Sequence, residues 1–258
     1  MKVVFLGTGT SQGVPILGCR CPVCASCDPR DKRLRTSLAV FVRGKVWVID
    51  TGPDFRQQAL RARLPMVDAV LFTHAHKDHT AGLDDVRPYN YLYEKRIPLY
   101  GDSRTLSQLR IEYAYAFDGP PYPGIPQLSL WEIEPLAPFC LHGVEVLPLP
   151  VWHYKLPVLG FRIGGLVYIT DASSIPEETW MHMEGADVLV LNALRKEPHI
   201  SHFHLEAALK VIEKAKPKVA YLTHISHLMG KHEEVQRMLP RQVFLAYDEL
   251  ELVLPEPS

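Results

Sequence analysis

Three imidazoles and one carboxylate fall within seven residues, Thr73-His74-Ala75-His76-Lys77-Asp78-His79, directly after the apolar pair Leu71-Phe72. Imidazole nitrogens and carboxylate oxygens are donors preferred by zinc and similar divalent ions, and a turn after a rigid strand can aim alternate side chains into one space. Four donors at this spacing predict a metal centre; the alternative is a solvated histidine-rich loop. A second group, Cys19-Arg20-Cys21-Pro22-Val23-Cys24 followed by Cys27, gathers four of the five cysteines. Met1–Leu6 runs into glycine too early for a secretory signal, so a cytoplasmic location and reduced thiols are expected, and the cluster reads as a metal site before it reads as disulfides. Three thiolates leave one position of a structural zinc site to fill. Cys27 could fill it locally, and Thr223-His224-Ile225-Ser226-His227 supplies a spare imidazole, His227, three residues past His224.

The elements that must hold these donors are short. Strand-like runs are predicted at Val3–Leu6, Ser37–Val42, Val46–Asp50, Ala69–Thr73, Val144–Leu149, Leu159–Ile163, Val167–Thr170, Val188–Asn192, Val219–Thr223 and Gln242–Ala246. Helical spacing of apolar residues covers Asp54–Arg63, Ser103–Tyr113 with Ser103 as N-cap, His204–Lys216 and Lys231–Leu239. Asp50, His74, His153, Asp171 and His224 each sit at or just beyond the C-terminal end of a predicted strand, where loops of parallel or mixed sheets converge on a site. With helices at the ends of both halves, the pattern suits sheets packed face to face with helices outside. One domain spanning 1–258 is expected, with Asp118–Gly124 as a long surface loop and Pro255–Ser258 as a frayed end. Tyr89, Tyr91 and Tyr93 read as packing residues, Arg87 as a substrate-phosphate contact, and His182 and His232 as surface residues. Gly7–Gly13 lacks the Lys of a phosphate loop and is expected to let backbone pass close under the metal site.

Composition narrows the partners. Hydrophobic residues make up 47% and charged residues 22% of 258 positions, as in ordinary globular proteins. Lys plus Arg (28) nearly balance Asp plus Glu (29), so no global field draws in a polyanion, and nucleic acid is not an expected partner. No apolar stretch is long enough to cross a bilayer, which argues against a membrane partner.

The histidine motif resembles that of the metallo-β-lactamase superfamily, which implies a four-layer αββα sandwich of two mixed β-sheets flanked by helices. The resemblance implies that one divalent ion, Zn or Mn, takes His74, His76 and His153, and a second takes Asp78, His79 and His224, with Asp171 of Tyr168-Ile169-Thr170-Asp171 bridging them. His142 competes with His153 but reads as a hairpin turn. Asp50, in Asp50-Thr51-Gly52, either orients the ligand loop or closes a turn on its own backbone.

Joined to the cysteine loop, the motif is similar to the PhnP-like phosphodiesterase branch of that superfamily. There, Cys19, Cys21, Cys24 and His227 would hold a structural zinc, with Cys27 spare. The resemblance implies hydrolysis of a small nucleotide or sugar phosphodiester, cyclic ones included, by hydroxide held between two metals, with Asp78 catalytic and His204 protonating the leaving group. His202 and His199 stand as alternatives to His204, and Glu206 either orients the imidazole or interacts with the helix dipole. A homodimer is the assembly allowed for. Other functions compatible with the motif are tRNA 3′-end processing, lactam or thioester hydrolysis, and metal binding without turnover.

Overall fold

Runs of Val, Leu, Ile and Phe in this chain become strands in the computed structural model, which describes residues 1–118 and 124–257. Among the described residues they form two sheets of seven strands. In the first, β1 (Lys2–Gly7), β2 (Ser37–Val42) and β3 (Lys45–Ile49) run antiparallel. Then β4 (Ala69–Leu71), β5 (Ile97–Gly101) and β6 (Leu128–Glu132) continue parallel to β3. The second sheet repeats the plan. Antiparallel β7 (Phe139–Leu141), β8 (Val144–His153), β9 (Leu156–Ile163) and β10 (Leu166–Ile169) lead into β11 (Val188–Asn192), β12 (Val219–Thr223) and β13 (Val243–Leu245), all parallel to β10. β14 (Glu251–Val253) returns to pair with β1.

The helices fall in the crossovers: α1 (Phe55–Arg61), α2 (Lys77–Thr80), α3 (Arg87–Tyr93), α4 (Ser103–Glu112) and α5 (Ala114–Phe117) in the first half, and α6 (Glu177–Trp180), α7 (Leu205–Ala215) and α8 (His232–Gln236) in the second. Between the sheets, Phe5, Trp47 and Leu71 of one share a buried cluster with Phe161, Tyr168 and Val190 of the other. Outside the first sheet, Val48 and Val70 join Phe55, Leu83 and Leu109; outside the second, Leu189 and Leu222 join Val211 and Ile212 of α7. Strands buried on both faces in this way read as continuous apolar runs, not as alternation. The result is the expected order of helices, sheet, sheet, helices.

Four strands have no counterpart in the sequence expectations: β5, β6, β7 and β14. Three of them, β6, β7 and β14, are sheet edges, where one neighbour and partial exposure remove the need for a full apolar run. β5 carries Pro98 in its interior. β8 extends to His153 because its hairpin with β9 stays paired out to His153 opposite Leu156. Asp102, not Ser103, caps α4, its carboxylate accepting from the Thr105 amide at 2.8 Å. Tyr89 packs on the outer cluster, whereas Tyr91 and Tyr93 are exposed, contrary to expectation. The C-terminal tail is held: Glu256 pairs with the N-terminal ammonium at 2.8 Å, and the Pro257 carbonyl accepts from Arg43 at 3.1 Å. Ser258 and residues 119–123 of the expected surface loop lie outside the described residues. No described helix is long and apolar enough to cross a membrane.

Candidate metal centre

Strand ends build the site. The motif begins just past β4, His153 closes β8, Asp171 follows β10, and His224 follows β12. Asp50, Asp171 and His224 all adopt left-handed backbone, with φ of 62°, 58° and 55°. Non-glycine residues pay for that conformation, and it concentrates where the chain must turn a side chain sharply off a strand. Asp50-Thr51-Gly52 also seats the motif helix: the Thr51 amide donates to the His79 carbonyl at 2.8 Å, and the Gly82 amide to the Thr51 carbonyl at 2.9 Å. A Cβ on Gly52 would lie 2.1 Å from the Asp78 carbonyl oxygen, so this approach requires glycine.

The structure brings together all the histidines expected at the centre. Ring centroids of His74 lie 4.5 Å from His76, 4.3 Å from His79 and 5.9 Å from His153, and His79 stacks on His224 at 5.9 Å. Asp171 Oδ2 is 3.2 Å from His79 Nε2 and 3.1 Å from His224 Nδ1, and Asp78 Oδ2 is 3.2 Å from His79 Nε2. Asp78, His79, Asp171 and His224 thus form one compact donor group, and His153, Asp171 and His202 form another sharing Asp171.

Behind these donors stands a set of hydrogen bonds that orients them. His79 Nδ1 donates to Asp50 Oδ2 at 2.7 Å, and the buried Asp50 also accepts from the Thr73 amide and hydroxyl, each at 2.8 Å. Of the two roles open to Asp50, orientation of the ligand loop is the one its contacts match. His74 Nδ1 meets the Thr73 hydroxyl at 2.9 Å, His153 Nδ1 donates to the Ser201 carbonyl at 2.7 Å, and His224 Nε2 lies 3.2 Å from the Thr10 hydroxyl. Thr73, Thr10 and the Ser201 backbone were not singled out in the sequence; only Thr73, adjacent to the motif, carried a local signal.

Burial by itself pushes the His79 imidazole down, but Asp171, Asp78 and Asp50 outweigh it and hold its pKa well above the ordinary value. Burial likewise pushes the Asp171 carboxyl up, and the imidazoles of His224 and His79 reverse that and hold it well below. The cluster therefore favours positive charge at its centre. The buried Nε2 atoms of His74 and His79 have no hydrogen-bond partner among the described residues. Orphaned imidazole nitrogens beside two carboxylates are a donor set that fits divalent cations.

Two of the leaving-group candidates separate. His202, with 11% of its side chain exposed, has Nδ1 3.7 Å from Asp171 Oδ1 and a ring 4.6 Å from His153 and 4.9 Å from His224. His204 is instead the N-cap residue of α7 and is not among the clustered donors. His199 stacks behind His202 at 5.2 Å. Glu206 pairs with Lys210 at 2.7 Å and orients no imidazole. Arg87, expected to face a phosphate, donates to the Gly124 carbonyl at 3.0 Å. His142 accepts from Trp47 Nε1 at 3.0 Å and lies outside the donor groups.

The second cluster is equally compact. His227 Nδ1 lies 3.4, 3.3 and 3.5 Å from the sulfurs of Cys19, Cys21 and Cys24, while Cys27 is exposed and apart. A hydrogen bond from the Cys24 amide brings the Cys21 thiol down to about 6, whereas burial raises Cys24 to about 11. Three sulfurs and one imidazole are the donor set of a closed zinc site. The glycine-rich loop joins the two clusters: the Thr10 amide donates to the Ile225 carbonyl at 3.1 Å, and the Ile225 amide to the Thr8 carbonyl at 2.9 Å. Beside it, His232 is buried, accepting from Arg33 Nη2 at 3.2 Å while its amide donates to Asp31 at 2.7 Å. The surface position expected for it is therefore wrong; a buried guanidinium gives the imidazole a partner.

Known proteins share this architecture. A family described as the beta-lactamase superfamily domain matches residues 47–225. A protein named octanoyltransferase from Porphyromonas gingivalis is 40% identical over 99% of this chain, which spans about half (52%) of that protein's length. The structure of a new diphosphatase from the PhnP family is 40% identical with a TM-score of 0.93, covering 99% of this chain and 98% of that one. Zn(2+)-bound PqqB from Methylobacterium extorquens, 22% identical, superposes with a TM-score of 0.80 over 98% of this chain and all (100%) of its own, a likeness of fold.

Proposed function

The chain belongs to the metallo-β-lactamase superfamily, in its PhnP-like branch, and on that premise we propose that it is a metal-dependent hydrolase of small phosphodiesters. The observation that carries this reading is the pairing of an Asp/His donor cluster with a Cys/His cluster in one chain, in a fold shared at 40% identity with a PhnP-family diphosphatase. A diphosphate linkage and a phosphodiester both present a tetrahedral phosphorus with one negative charge and an oxygen leaving group. Diphosphate diesters are therefore the second substrate class, favoured by that relative.

His74, His76 and His153 would hold one divalent ion and Asp78, His79 and His224 another, with Asp171 shared, while Cys19, Cys21, Cys24 and His227 would hold a structural zinc. Two such ions, Zn or Mn, would supply Lewis acidity towards phosphoryl oxygens and lower the pKa of water towards neutrality. The residues of the chain do the rest. Asp50, Thr73 and the Ser201 carbonyl hold the imidazoles in one orientation, so little reorganisation is needed during reaction. His202 takes the leaving-group role in place of His204, because its ring faces the shared carboxylate. Burial lowers its pKa to about 3, and an anionic phosphate beside it would raise that value again.

The test is hydrolysis of bis(p-nitrophenyl) phosphate by protein of known metal content. Asp78→Ala should reduce turnover by at least about a thousandfold, and wild-type turnover in that variant would overturn the reading. In the same assay with a poorer, alkyl leaving group, His202→Ala should lose more rate than His204→Ala. The reverse order would return the role to His204.

A further inference from the structure

Among the described residues, three of the four sheet edges are guarded against pairing. β7, β13 and β14 are each only three residues long. Pro138 directly precedes β7, and Pro255 follows two residues after β14. The Gln236 side chain covers β13, its Nε2 donating to the Val243 carbonyl at 3.1 Å and its Oε1 accepting from the Leu245 amide at 2.8 Å. Short strands, prolines and covering groups are the usual means of keeping an edge from pairing. β6 lacks them: Leu128-Ser129-Leu130-Trp131-Glu132 is five residues long and keeps an unbroken register with β5.

The outward groups of β6 follow from its bonds to β5. The Ile97 amide donates to the Gln127 carbonyl at 2.9 Å, and the Ile133 amide to the Gly101 carbonyl at 3.0 Å. Alternation along the strand then directs the backbone of Ser129 and Trp131 to β5 and that of Leu128, Leu130 and Glu132 away from it. Among the described residues, the one partner of these outward groups is Arg96, whose Nη1 donates to the Leu128 carbonyl at 3.2 Å. Beside them Trp131 is 55% exposed, its ring 6.3 Å from Tyr100, which stacks in turn on Phe139 at 5.1 Å. Arg96 and Glu132 are exposed and form no ion pair among the described residues.

We propose that β6 pairs antiparallel with β6 of a second copy of this chain about a two-fold axis at Leu130. The edge is complementary to itself in this register. The two Leu130 residues exchange N–H···O bonds across the axis, and Leu128 of each strand lies opposite Glu132 of the other. The Leu128 carbonyl passes from Arg96 to the facing Glu132 amide, and the released guanidinium meets the facing Glu132 carboxylate, once at each end. On the other face Trp131 lies opposite Ser129 of the second copy, which covers its exposed ring. A peptide of another protein could use the same backbone groups, but the opposite charges at the two ends of this one strand favour a second copy.

Sedimentation velocity of the metal-loaded protein over a concentration series tests this. The wild type should associate to a dimer at about 100 μM or below. Glu132→Arg and Arg96→Glu each set like charges together at both ends, and each should weaken association by about tenfold or more. Combining the two exchanges restores opposite charges and should recover most of that loss. Leu130→Pro removes the central amide, which β5 does not use, and should give monomer. Unchanged far-ultraviolet circular dichroism shows that each variant keeps its fold. A monomeric wild type, a dimer indifferent to the single exchanges, or a combined variant without recovery overturns the proposal.

Discussion

The two donor clusters of this protein are built in opposite ways. The Asp/His cluster collects side chains from four strand ends spread from His74 to His224, and most of its imidazoles have one nitrogen already engaged by Asp50, Thr73, Thr10 or the Ser201 carbonyl. The Cys/His cluster takes three sulfurs from one short loop, held by backbone amides: Ile16 donates to Cys24 Sγ at 3.4 Å, and Cys24 to Cys21 Sγ at 3.4 Å. One imidazole from beyond β12 completes it. In the first cluster the sheets determine the geometry; in the second, four donors bound to a common ion would hold a loop that otherwise has a small apolar core of Val14, Val23 and Cys24. The first is therefore expected to keep its shape without metal, and the second to depend on it.

The sharpest way to break that contrast is at Asp50. Asp50→Ala removes the acceptor for His79 Nδ1 and for Thr73, and should lower metal affinity at the Asp/His cluster by about 10- to 100-fold while the Cys/His cluster keeps its ion. Elemental analysis after dialysis against graded chelator reads both at once, and equal loss from the two clusters would erase the distinction. Cys24→Ser should do the converse. One equivalent of zinc disappears, the ions at the Asp/His cluster stay, and hydrolysis falls by about tenfold or less, through loosening of the loop that carries His224. A fall as deep as that of Asp78→Ala would make the cysteine cluster part of the reaction centre itself.

A smaller effect concerns the brace behind the cysteine loop, where Ser26 donates to Asp31 at 2.6 Å and Asp31 receives the His232 amide. Burial, with Arg33 beside it, lowers the His232 pKa to about 4. Between that value and the unfolded value near 6.5, the unfolded chain binds more protons. Stability from this group is therefore complete above about pH 6.5 and is lost as pH falls towards 4. Between pH 7.5 and 5, His232→Gln should lose less of its urea-unfolding stability than the wild type, by about 2 kcal/mol. Identical losses would show that His232 titrates normally.

Much of the first cluster was legible in the chain because its donors are compressed into one motif and its distant members each end an apolar run. The interior strands β2, β11 and β12 were legible to the residue for the same reason: each is a short, mostly buried and largely apolar run. Three of the four edge strands, β6, β7 and β14, were not, since one-sided pairing relaxes that demand.

What the sequence determined by itself is the kind of chemistry: the donor types, their order, and the strand ends that would present them. Only the tertiary structure decided which of several equivalent residues take part. His202 and His204 differ by two positions on a turn, and Cys27 and His227 by two hundred along the chain, yet the packed backbone places His202 and His227 at the clusters and leaves the others outside. The physical reason is that donor chemistry belongs to a side chain, whereas its direction is set by backbone angles and by the neighbouring loops against which it is packed.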